Sequence, residues 1–191
     1  MNIWSGDPQA DVQRASELAQ KALALDDSNS TALALLSYVD WIQRRFAQAV
    51  AGAERAVAAN PNSAEDYDVL AVALNAVKPG EALRAADKAM RLDPARQDFH
   101  AYLAGIAYNE MGRYQEAIPL LKQTVSTYPS MLSPHIGLIV AYVELGRDQD
   151  ARAEAAEIMR INPQLKMRPG PFKDEALNKR LLSDLRKAGL K

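Results

Sequence analysis

The stretch from Asp98 to Pro129 recurs along this chain, and that recurrence limits the fold more than any single motif. It holds an apolar-striped segment ending near Tyr108, a turn at Met111-Gly-Arg, a second striped segment through Ala117 and Leu121, and a closing Tyr128-Pro129. Moving on by about 34 residues takes Tyr108 to Tyr142, Gly112 to Gly146, Ala117 to Ala151 and Pro129 to Pro163. Moving back finds Pro61 and Pro94, with Ala49 and Ala82 in the place of Ala117. The second unit is one residue short at its turn, Lys78-Pro79-Gly80-Glu81, and regains it between Ala95 and Gln97. Four units result, Ser30 to Ser63, Ala64 to Gln97, Asp98 to Met131, and Leu132 to Leu165. Each holds two amphipathic helices that cannot bury their apolar stripes alone, so neighbouring units must stack. Gly105 and Ala117 are small where helices approach, Tyr108 and Leu121 are large where they interlock, and the closing prolines stop the second helices.

This pattern resembles the tetratricopeptide repeat (TPR) family. The resemblance implies an all-α helix-turn-helix solenoid wound into a right-handed superhelix. Helix pairs are expected at 30–44 with 47–60, 64–77 with 80–93, 98–111 with 114–128, and 132–145 with 148–161. Ser63, spaced from Asp66 as in a capping box, together with Asp98 and Ser133-Pro134, marks helix starts. Pro119 should bend its helix locally.

The flanks divide the chain into a segment 1–29, the four units at 30–165, and a tail 166–191. Asp7-Pro8 should start a helix running to about Leu25, whose apolar residues match the second helix of a repeat that lacks its first. An uncovered apolar face favours a cut from a longer protein over a native half-repeat. After Pro163 the period fails. Arg168-Pro-Gly-Pro171 reads as a linker, and Asp174 to Lys187 as a last helix with Leu177, Leu181, Leu182 and Leu185 on its apolar face. A C-terminal capping helix over the end of the stack is the expectation, and a docking helix for another domain the alternative.

Composition removes several function classes. With 23 basic and 24 acidic residues the net charge is -1, so neither a nucleic-acid partner nor an anionic membrane surface is expected. The absence of cysteine excludes disulfides and thiolate metal sites. No basic leader precedes an apolar stretch, and no apolar run approaches the roughly 20 residues of a membrane span, which predicts a soluble, cytoplasmic chain. His100 and His135 sit at nearly equivalent places in successive units without clustered acidic ligands, and read as ordinary residues of first helices. Glu65/Asp66 and Asp148/Asp150 read as solvated helix starts. Phosphate loops, nucleophile elbows and zinc helix motifs are absent from the sequence. The expectation is a protein without catalytic residues, cofactor or metal.

What remains is the concave groove that the TPR resemblance places along the first helices. The family's groove positions fall here on Tyr38, Trp41 and Ile42, on Asp68 and Asn75, on Phe99, Tyr102, Ile106 and Asn109, and on Ile136 and Val140. Aromatics at these places would anchor a peptide's side chains while the asparagines bond its main chain. The same residues can instead pack between helices. Ala34, Tyr38 and Phe99 stand where a carboxylate clamp of the cochaperone kind needs polar or basic groups, which disfavours that mode. The combination of Ala15 to Asp27, the repeats, Pro171-Phe-Lys-Asp, and Leu185-Arg-Lys-Ala-Gly-Leu190 resembles the C-terminal TPR region of bacterial class III adenylate/guanylate cyclase-type proteins. That resemblance implies a regulatory or scaffolding module of a signalling protein. A cyclase domain's metal-binding aspartates have no counterpart here. The expected partner is a protein or peptide, including another part of its own parent chain; the alternative is homo-oligomer formation through the open N-terminal end.

Overall fold

The computed structural model describes residues 8–165 and 175–190. Asp7, the proposed linker at 168–171 and Asp174 lie outside the described residues. Among the described residues ten α-helices follow in order: α1 (Pro8–Leu25), α2 (Ser30–Ile42), α3 (Phe46–Ala59), α4 (Ala64–Asn75), α5 (Pro79–Leu92), α6 (Gln97–Glu110), α7 (Tyr114–Thr127), α8 (Leu132–Glu144), α9 (Asp148–Ile161) and α10 (Glu175–Lys187). Each repeat helix ends within two residues of its expected place. The first helices α2, α4, α6 and α8 contact one another in succession; each second helix packs on its own first helix, and α3, α5 and α7 also on the next one along. α1 packs on α2 as a second helix would.

Local chemistry sets these limits. The residues before Pro61, Pro94, Pro129 and Pro163 are the C-caps Asn60, Asp93, Tyr128 and Asn162, all with φ between -138° and -123° and ψ between 66° and 88°. A residue preceding proline is pushed out of the helical region in this way, so the proline sets the stop. Within the units, Arg44, Gly112 and Gly146 have positive φ of 61°, 72° and 71°, and the following N–H bonds back to Asp40, Tyr108 and Tyr142. The second unit omits this left-handed residue; Lys78 N–H bonds to the Leu74 carbonyl instead. The missing residue returns as a 3₁₀ turn at Pro94–Arg96. Ser63 accepts the Asp66 N–H at 3.1 Å, as a cap should. Asp98 does not cap: its carboxylate accepts from Gln123 at 2.6 Å and Thr127 at 2.7 Å, tying α6 to α7. Ser133 lies inside α8, whose N-cap is Met131 with no side-chain bond. α7 runs on through Pro119.

The core is a seam in which small residues recur at fixed positions between large ones such as Leu103, Leu138 and Ile158. Ala49, Ala82, Ala117 and Ala151 are fully buried at one repeating position. At another, Ala53, Ala86 and Ala155 share a column with Leu121, which is larger and equally buried. Room for Leu121 comes from Gly105, where a Cβ would meet its Cγ at 2.8 Å, and from Gly137, where a Cβ would meet its Cδ1 at 3.0 Å. Size is conserved by exchange between helices rather than position by position.

The histidines bind units together. Both are buried; His100 Nδ1 lies 2.8 Å from Asp68 Oδ1 and His135 Nδ1 lies 2.6 Å from Glu154 Oε2. Their Nε2 atoms donate to the backbone carbonyls of Asp93 and Pro129, each at 3.1 Å. A carbonyl accepts only, so Nε2 carries a proton, and a second proton lies between Nδ1 and the carboxylate. Burial pushes the Asp68 carboxyl up against the opposing pull of His100. Asp66, expected at a solvated helix start, is also buried.

The C-terminal capping helix is present, and it caps from the inside. α10 packs on α8, burying Leu185, Ala188 and Leu190 in the same cluster as Leu138 and Tyr142. Arg180 pairs with Glu144 at the end of α8 and also donates to the Tyr114 hydroxyl at the start of α7.

Candidate functional site

The first helices present matching columns to one side, because a translation by one unit carries Tyr38 to Val72, Ile106 and Val140, and Ala34 to Asp68, Tyr102 and Ile136. Apart from Ala34, the residues of these columns line a cavity of about 1200 Å³ that runs from α2 to α10. All eleven expected groove residues face it: Tyr38, Trp41, Ile42, Asp68, Asn75, Phe99, Tyr102, Ile106, Asn109, Ile136 and Val140.

Its surface divides into an aromatic end, a polar border and an apolar floor. Tyr38 and Trp41, one turn apart on α2, stack with ring centroids 5.7 Å apart and planes 12° from parallel. Tyr38 is 42% exposed. Phe99 and Tyr102 on α6 stand 6.1 Å apart, with Arg96 5.0 Å over the Phe99 ring. Arg96 also pairs with Glu65 at 3.5 Å and with Asp68 at 3.9 Å, so this border is charged but internally neutralised. Burial raises the Tyr102 pKa against a hydrogen bond with Ser133, and the phenol stays neutral. The floor continues through Val69, Val72, Ile106, Ile136 and Val140.

The asparagines do something other than expected. Asn109 Nδ2 donates to the Gly137 carbonyl at 2.8 Å, and Asn75 Nδ2 to the Leu103 carbonyl at 3.5 Å. Each amide thus reaches the neighbouring first helix. A helical carbonyl keeps a second lone pair after its own i+4 bond, and close packing of the first helices puts the amide on it.

Sequence reasoning missed two groups. Val72 shares a column with Tyr38 and Ile106, so the translation that built the units would have found it. Leu181 and Leu185 of α10, and Leu190 just beyond its end, also line the cavity, and no periodicity connects them with the repeats. Near them, Glu110 at the end of α6 faces Arg180, Leu181 and Asp184 across a void of about 40 Å³. Burial raises Glu110 from 4.5 to about 7, opposed by Arg180. Asp184 is raised by burial and by neighbouring Glu144, while Glu144 is lowered by its bond to Arg180.

Among the described residues, no group of three or more His, Asp or Glu could hold a metal ion, and no helix is long and apolar enough to cross a membrane.

Two tetratricopeptide-repeat family models match, one over residues 72–131 and one over 108–167. No curated protein sequence matches the chain. Among solved structures, the type IV pilus biogenesis factor PilW is similar with a TM-score of 0.73 at 20% identity, over 94% of this chain and 82% of its own. TTC0263, a thermophilic TPR protein of Thermus thermophilus, gives 0.70 at 24% identity, over 92% and 91%. YrrB, a TPR protein with an unusual peptide-binding site, gives 0.58 at 20% identity, over 81% and 80%. At these identities the likeness is one of fold.

Proposed function

Because this chain is built of tetratricopeptide repeats, we propose that it is a protein-interaction module that takes a partner's apolar peptide or helix in its concave groove. The observation that carries this reading is the convergence of Tyr38, Trp41, Phe99, Tyr102, Ile106 and Ile136 on one continuous cavity. Aromatic rings present large contact area with few rotatable bonds, so they order at low entropic cost and commonly dominate binding energy. The asparagines hold the first helices in register, and specificity falls to the aromatics and to the Arg96–Glu65–Asp68 border. The tail pattern supports placing the module in a cyclase-like signalling protein, and that part of the reading rests on the pattern alone.

The test begins with peptides selected on the purified chain from a displayed random library. Trp41→Ala and Tyr102→Ala should each weaken the selected peptides by about 2 kcal/mol or more while the helical circular-dichroism signal is retained. Unchanged affinity in both variants would sink the groove reading. A second reading, pairing of two copies through α1, is favoured by Leu18 and Leu25, which are 56% and 91% exposed. Light scattering on a size-exclusion column over a wide concentration range decides it: a monomer throughout excludes the pairing.

A further inference from the structure

Helices that cap a solenoid sit across its last unit and keep that unit's apolar edge dry. α10 does more than this. Its Leu181 and Leu185, with Leu190 just past its end, form one wall of the cavity whose other walls carry Ile106, Ile136 and Val140. The seat of α10 is therefore continuous with the open groove. Its anchoring is helix-in-groove recognition in miniature, with leucines one turn apart on the apolar side and an arginine at the polar margin pairing with Glu144 and Tyr114.

The seat also carries a cost. Asp184 is 1% exposed, its Oδ1 has Lys187 at 3.5 Å, and it neighbours the Glu144 carboxyl, which together with burial raises it. Burying a carboxyl beside a second acidic group opposes docking. A partner helix that reproduces the leucines and the arginine without the buried aspartate would occupy the same seat more favourably.

We propose that α10 is a built-in occupant of the groove, and that the partner is an amphipathic helix with a leucine stripe and a flanking arginine that binds by displacing it. This rests on the groove reading above, and supplies the partner's chemistry and the event that admits it.

The probe is a fluorescein-labelled synthetic peptide of residues 175–190 carrying the Asp184→Ala change, titrated into the full chain by fluorescence anisotropy. Two variants unseat the resident helix differently: Leu185→Asp removes its apolar anchor, and Arg180→Glu reverses its charge opposite Glu144. Both should bind the peptide at least ten-fold more tightly than the unaltered chain, and adding Ile106→Asp should abolish the gain. Circular dichroism confirms that each variant keeps its helices. Equal affinity in the unaltered chain and both variants overturns the displacement. If that equal binding is still lost with Ile106→Asp, the groove reading survives; if it is insensitive to Ile106→Asp, the peptide binds elsewhere and the groove loses its support too. Absence of binding to all of the proteins overturns the α10-like partner, leaving the groove to the library-selected peptides.

Discussion

Glu110 is a carboxyl at the unfavourable end of a helix. It closes α6, where free backbone carbonyls already make the surroundings negative, and it faces α10 across a narrow void. Burial raises its pKa from 4.5 to about 7, with Arg180 pulling the other way. A folded-state pKa above the unfolded one means that the folded chain holds this proton more tightly. The stabilisation is complete below the unfolded value of 4.5 and is lost as pH rises through about 7. At ~1.4 kcal/mol per pH unit, the whole effect is ~3 kcal/mol. Glu110→Gln has the shape of the protonated acid at every pH. Urea unfolding followed by circular dichroism should find wild type and variant nearly equal at about pH 4.5. At about pH 8.5 the variant should be the more stable by ~2–3 kcal/mol. Comparing the two proteins at each pH cancels Asp68 and Asp184, which burial also raises, and Asp98 and Glu144, which their hydrogen-bond partners lower. A difference that stays constant across this range would refute the assignment of the proton to Glu110.

Other substitutions test the packing and the turns. Gly105→Ala brings a Cβ to 2.8 Å from the buried Leu121 and should cost ~1–3 kcal/mol in urea unfolding, whereas Gly80→Ala, whose nearest neighbour is Met111 Sδ at 3.9 Å, should be neutral or stabilising by up to ~1 kcal/mol. Gly146 has nothing within 4 Å of a built Cβ, so Gly146→Ala should measure the positive φ alone, at ~1–2 kcal/mol of lost stability. His100→Ala leaves the buried Asp68 carboxylate with the half-exposed Arg96 at 3.9 Å as its remaining ion-pair partner, and should lower stability by ~3–5 kcal/mol, read as a drop in the urea midpoint with helix content kept.

The helices and the groove columns were legible because both follow from translation by one period. A proline two residues past each second helix and an alanine at each close approach repeat the same physical constraint, so one unit explains the next. Positions that depart from the repeat were less legible. Leu121 reads as an ordinary interlocking residue until the glycines at 105 and 137, on two different helices, are seen to make room for it. His100 and His135 carry no local sign of their carboxylate partners, which lie 32 residues before one and 19 after the other. The polar groove residues looked free for a ligand because a sequence shows which side a residue faces, but not how near the adjacent helix comes. For α10 the leucine stripe announced an apolar contact without saying with what; its place on the inner face depends on Arg180 finding Glu144, 36 residues away.

The amide bridges are spread unevenly along this solenoid. Asn109 ties α6 to α8 at 2.8 Å, Asn75 ties α4 to α6 at 3.5 Å, and the same position on α2 is Trp41, which has no amide to extend to α4. The α2–α4 joint, which carries the stacked Tyr38–Trp41 pair, is therefore held by side-chain packing without an amide tie, while the end that holds α10 has a polar tie between first helices as well.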